Sequence, residues 1–176
     1  MVYYAGIGSR KTPEDILKKM RVLGFVFAEA GYILRSGGAD GADTAFEQGC
    51  RAADGKREIF LPWKDFNKNG SELFPPSPAA FDMAKQFHPA WDKLSTAGKK
   101  LHARNSHQVM GRDLTTPVSF VLCYAEGGGT EQAIRIATAA KIPVINMAKN
   151  WKRTEHGNSL VDIVAYVSDM CGVLMS

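Results

Sequence analysis

The chain has 176 residues, 45% apolar and 23% charged, with a formal net charge of +4 and a pI near 9.0. That fits one domain around a single core, and it excludes disordered, collagen-like and strongly basic nucleic-acid-binding compositions. Apolar runs fall short of a membrane span, the N-terminus carries no basic leader, and Cys50, Cys123 and Cys171 are too dispersed for a zinc or disulfide framework, so a cytoplasmic location without membrane contact is expected.

In chain order, Val2 to Ile7 reads as a short buried strand, followed by the turn "GSRKTPED". Thr12 is the expected N-cap of the first helix, with Pro13 at its first position and Asp15 favoured by the helix dipole. Ile16, Met20, Leu23, Phe27 and Ala30 recur at helical spacing up to a stop at Gly31. "GYILRSGGADGAD" repeats strand, glycine turn and helix start, and the second helix carries Ala42, Ala45, Phe46, Gly49 and Cys50 on one side. "REIFLPW" reads as a third strand. Residues 63–98 then break the rhythm with prolines and aromatics, which predicts an inserted segment with a short helix over one edge of the core. The last elements are a helix in "STAGKKLHARNSHQVMGRDL", a strand in "PVSFVLCY", a turn and helix in "EGGGTEQAIRIATAAK", a strand in "IPVIN", and a helical pattern from Ser159 to Met170. Strands alternating with helices predict an open, doubly wound α/β domain with a mostly parallel sheet.

Ligands of such sheets sit beyond the carboxyl ends of the strands. Three glycine-bearing turns leave those ends here and should converge: Gly6–Arg10, Ser36–Asp43 and Glu126–Glu131. Glycines opening into a helix present free N–H groups at a positive dipole end, an arrangement suited to phosphate. Gly8, Ser9 and Arg10, then Ser36, Gly37 and Gly38, then Gly127, Gly128, Gly129 and Thr130 are the candidate cradle. Asp40 or Asp43 would cap a helix or accept from ribose hydroxyls. Arg104 and Asn105, sharing a helical face with Leu101 and Gln108, would line a polar pocket, with Arg104 as a bidentate partner for phosphate or carboxylate or as one half of an ion pair. Lys99, Lys100, His102, His107 and Arg112 read as a solvated basic face. Trp63 would stack a base or close the core edge. The dinucleotide pattern GxGxxG and the P-loop are both absent. His88 lacks partners at ligand spacing, and neither a metal nor a resident cofactor is expected.

The order "GIGSR…LRSGGADGAD…EIFLPW…LHARN…GGGTEQAIRIA…IPVIN" resembles the DprA-like members of the SLOG superfamily, of the kind encoded by bacteriophages. The resemblance implies a Rossmann-like fold with a nucleotide or nucleotide-sugar pocket, and self-association as a homodimer. It offers three functions. The first is a protein that binds, and sequesters, a phosphorylated ribose compound such as an ADP-ribose-type immune signal, an anti-defence role. The second is a nucleotide N-glycosidase like the LOG phosphoribohydrolases, with Arg104 orienting phosphate and Glu131 or Glu47 acting on the glycosidic centre. Ala133 stands where that family's glutamate is expected, and Glu131 points about 200° away along the helix. The third is a DNA-processing accessory.

Overall fold

The computed structural model describes residues 1–148 and 160–171. Five parallel strands form one sheet in the order β3-β2-β1-β4-β5. They are β1 (Tyr3–Gly8), β2 (Ile33–Ser36), β3 (Arg57–Ile59), β4 (Phe120–Tyr124) and β5 (Val144–Asn146). The helices are α1 (Glu14–Glu29), α2 (Ala42–Ala52), α3 (Pro78–Phe87), α4 (Thr96–Met110), α5 (Gly129–Ala139) and α6 (Leu160–Cys171). The expected doubly wound α/β fold is therefore the observed one.

Alternation along β1 divides the core between the two faces of the sheet. Tyr4 joins Phe27, Phe46, Leu34 and Phe120 on one face, whereas Ala5 and Ile7 join Val109, Val121, Ala133 and Ile136 on the other. Tyr4 stacks on Phe120 at 5.5 Å and meets Phe27 edge-on at 5.1 Å. Fully burying a ring such as Phe27 stabilises the fold by about 2–3 kcal/mol. Ile163 and Val167 of α6 close the first cluster, as the tail periodicity predicts, while the expected start at Ser159 lies outside the described residues.

Glycine sets the approach of α1 to α2. A Cβ on Gly24 would lie 2.5 Å from the carbonyl oxygen of Phe46, and one on Gly49 would overlap the carbonyl oxygen of Arg21. Backbone atoms cannot rotate away, so Gly49→Ala is expected to lower stability by about 1–3 kcal/mol as the helices separate. Urea denaturation checks this, and an unchanged midpoint would contradict the close crossing.

Several boundaries differ from the sequence reading. Thr12 does not cap α1: its hydroxyl donates to the Ser9 carbonyl at 2.7 Å, closing the preceding turn, and Pro13 stands at the cap position. The third strand stops at Ile59, because Leu61 donates its N–H to Leu73 of the following segment and leaves the ladder. The inserted segment contains α3, which Ser77 caps and which packs Ala80 and Ala84 against Ala103 of α4.

Candidate functional site

The strand order reverses between β1 and β4, where helices leave toward opposite faces of the sheet. A crevice of about 350 Å³ opens beyond the carboxyl ends of these two strands. Gly8, Ser9, Arg10 and Lys11 line it from the end of β1, and Gly127 to Thr130 from the start of α5. His102, Arg104, Asn105 and Gln108 line it from α4, and Asp43 from α2. All three expected turns thus reach one place, the second only through Ala39 and Asp43, and the helix around Arg104 forms the opposite wall.

The α5 edge is open. Gly127 and Gly128 have φ of +126° and +77°, and a Cβ at Gly127, Gly128 or Gly129 would meet nothing within 4 Å. Their glycines are therefore not needed to fit neighbouring protein atoms. They leave backbone exposed at a helix N-terminus that no side chain caps. Arg10 and Lys11 add exposed cations at the rim. The Ser9 hydroxyl accepts from the Lys11 N–H at 3.0 Å, which fixes that turn.

Below the rim lies a buried polar centre. The Asp43 carboxylate receives the N–H groups of Gly8 and Gly37, both at 3.1 Å, the Gln108 amide at 3.3 Å and the Arg104 guanidinium at 3.5 Å. Burial pushes the Asp43 pKa up, while Arg104 and the backbone N–H groups pull it back down. Burial likewise lowers the Arg104 pKa, against the pull of Asp43. Arg104 also donates to the Gly37 carbonyl, and a Cβ on Gly37 would overlap the guanidinium. Gly37 is a glycine because Arg104 needs the space. Asp43 and Arg104 thereby clamp the ends of β1 and β2 to α4.

Placement of the remaining candidates corrects some expectations and, for Trp63, selects the core-edge one of its two. Ser36 is buried and donates to the Gly6 carbonyl at 2.6 Å, inside the sheet. Gly38 and Asp40 face a separate groove beside β3, and neither lines the crevice. Neither Asp40 nor Asp43 caps α2, whose cap position is Gly41 without a side-chain bond. Trp63 packs edge-on to Phe66 at 5.2 Å against the core margin and stays out of the crevice. Glu131 is half-buried and outside the lining. Glu47 accepts from Arg51 and Asn69 on the groove side. Asp43 is the only carboxylate on the crevice wall among the described residues.

The expected basic face is only partly solvated: Arg112 is exposed and Lys99 and Lys100 are half-buried, but His102 and His107 turn inward. His102 lines the crevice with Nδ1 at 3.5 Å from Gln132 Oε1, and its ring meets that of His88 at 4.4 Å. Burial lowers its pKa, and the neighbouring His88 adds to this. Asn105 ties α4 to α5 by donating to Gly129 O and Gln132 Oε1, both at 3.2 Å.

His107 is buried under Phe60, with Nδ1 at 3.0 Å from the Gly111 carbonyl and Nε2 accepting the Ser77 N–H at 3.1 Å. That pattern requires the neutral ring, and burial lowers its pKa. The unfolded chain thus takes up this proton first, so stability should be full above the ordinary value of 6.5 and fall as pH drops below it. Denaturation midpoints between pH 7.5 and 5 check this: His107→Gln should flatten that part of the profile, and an unaltered slope would contradict it.

No family model and no curated protein matches the chain. Its fold matches solved structures. The Moco carrier protein of Chlamydomonas reinhardtii aligns at TM-score 0.61 and 18% identity, over 98% of this chain and 99% of that one. The molybdenum cofactor binding protein of Rippkaea orientalis aligns at TM-score 0.62 and 18% identity, over 97% of each chain. The structural-genomics target TM1055 aligns at TM-score 0.59 and 19% identity, over 96% of this chain and 99% of that one. At such identities the shared property is the Rossmann-like fold.

Proposed function

We propose that the chain is a small-ligand-binding protein of the SLOG type, which holds a phosphorylated ribose compound in the β1–β4 crevice without cleaving it. The observation that carries this is the open, uncapped glycine edge at Gly127–Thr130 facing Ser9, Arg10 and Lys11. Backbone N–H groups, a helix dipole and two exposed cations suit a phosphate group. The volume of about 350 Å³ lies in the roughly 300–1,000 Å³ range of small-molecule sites. Two relatives in fold are named for carrying or binding the molybdenum cofactor, so a carrier of a small molecule has precedent on this scaffold.

Binding is favoured over hydrolysis by the placement of acids. A glycosidase needs a carboxylate free to stabilise the sugar cation or activate water. Glu131 and Glu47 lie outside the crevice lining, and Asp43 is engaged by four donors. His102 replaces Trp63 as the ring placed to meet a base. Sequestration of an ADP-ribose-type signal is the finer form of this proposal.

Calorimetry against linear and cyclic ADP-ribose derivatives, nucleoside monophosphates and a molybdenum-cofactor preparation tests it, with chromatography of the ligand recovered after denaturation. Binding with intact recovery is the expected result. Absence of binding across the panel, or release of a free base, would overturn it.

A further inference from the structure

A second cavity lies apart from the crevice. An open groove of about 1130 Å³ runs beside the edge strand β3, between the outer face of α2 and residues 67–73. Arg51, Lys56, Arg57 and Lys68 line it, against two carboxylates, Asp40 and Glu47. Glu47 is spent: Oε1 takes Nε and Nη2 of Arg51, and Oε2 takes the Asn69 amide at 2.9 Å. Lys56, Arg57 and Lys68 take part in none of the ion pairs among the described residues. Three cations thus face one exposed carboxylate.

The wall carrying Lys68 is held in a costly backbone conformation. Asp65, Asn67 and Lys68 have φ of +56°, +51° and +57°. None is glycine, and a left-handed conformation costs roughly 1–2 kcal/mol per residue. Two amides pin the segment there: Asn67 donates to Gly38 O at 3.0 Å, and Asn69 reaches Glu47. The result holds the backbone at Lys68 on the groove that Arg57 and Lys56 also line. Strain of this kind tends to collect where a side chain must be presented.

We infer that this groove is a second binding site, and that it takes a multivalent phosphate anion of the oligophosphate class. Its cations are spread along a cleft and not focused on one point, which suits a chain of phosphates. No aromatic residue lines it, so it offers no platform for stacking bases. It is separate from the crevice, with which it shares no lining residue, so it stands whether or not the crevice reading holds.

Tripolyphosphate is the probe, titrated by calorimetry at about 0.05 M and about 0.15 M salt, where screening of exposed charges is substantial. Saturable, salt-weakened binding is expected in the full chain. Arg57→Gln/Lys68→Gln should weaken it at least tenfold with an unchanged melting temperature, Lys68→Arg should retain it, and Lys18→Gln/Lys85→Gln, exposed and outside both cavities, should leave it within about twofold. If no binding is detected, or the groove pair binds as tightly as the unsubstituted chain, or the outside pair loses as much as the groove pair, the inference fails. It also fails if a twelve-residue thymidine oligonucleotide binds more tightly than tripolyphosphate and loses that binding in Arg57→Gln/Lys68→Gln, since the groove would then be a nucleic-acid surface.

Discussion

Arg104→Ala is expected to lower the unfolding free energy by about 3–5 kcal/mol, a loss of structure before any loss of a ligand contact. Arg104 is 5% exposed, and its guanidinium donates to Gly37 O and Asp43 and lies 5.8 Å from the Phe66 ring centre. Truncation leaves the Asp43 carboxylate buried without a cation, and the Gly37 carbonyl without its donor. The backbone N–H groups of Gly8 and Gly37 remain, so the charge is solvated in part but not neutralised. The pH dependence separates this account from simple cavity formation. Without Arg104, burial drives the Asp43 pKa further above its ordinary value of 3.8. An acid whose folded pKa is raised costs stability in full above the folded value, and that cost shrinks as pH falls from there to the unfolded value. The loss should therefore be largest near pH 7.5 and shrink toward pH 4. Asp43→Asn combined with Arg104→Met should be less damaging than the two single changes summed. Urea denaturation of these variants across pH is the measurement. A loss below about 1 kcal/mol would show instead that Arg104 is held for the ligand alone.

This role explains which parts of the site were legible in the sequence. The alternation of apolar runs with 3.6-residue periodicity reports directly on the sheet and its helices, because both patterns arise from local burial. The β1 and α5 turns were legible for a related reason: both lie where strands end and helices begin at the reversal of strand order. The turn after β2 has the same composition but a different use. Its glycines make room for Arg104 and for a left-handed turn, with Gly38 at φ +64°, and Ser36 serves the sheet. A glycine-rich string alone does not tell whether the space belongs to a ligand or to an arginine 67 positions later. His102 and His107 illustrate the same limit from the other side. Their burial depends on α5, Phe60 and Ser77, all remote in sequence, so a run of basic residues reads as solvated throughout when its two histidines turn inward. Trp63 gives no sign of which side of the core margin it will cover.

The second large effect concerns binding. Gly128→Val should abolish ligand binding, by at least a hundredfold, while the fold survives. Gly128 sits at φ +77°, and a Cβ placed on it would find nothing within 4 Å, so the substitution meets no protein atom. Its cost to stability is backbone strain, because φ +77° with ψ −153° is a conformation that only glycine adopts freely, roughly 1–3 kcal/mol. A branched side chain there would instead occupy the space in which a phosphate must approach the α5 N–H groups. Arg10→Gln removes one exposed charge at the rim and should weaken binding about fivefold to tenfold, with little change in stability. The two variants together distinguish a backbone cradle from attraction by surface cations. If phosphate is held mainly by Arg10 and Lys11, Arg10→Gln will be the more damaging change. If the cradle dominates, Gly128→Val will be, and the affinity left in Arg10→Gln will still fall as salt rises, through Lys11. Calorimetry with whichever phosphorylated ligand binds the unsubstituted chain, beside thermal melts of each variant, decides between them. Full binding by a folded Gly128→Val protein would remove the glycine edge from the site.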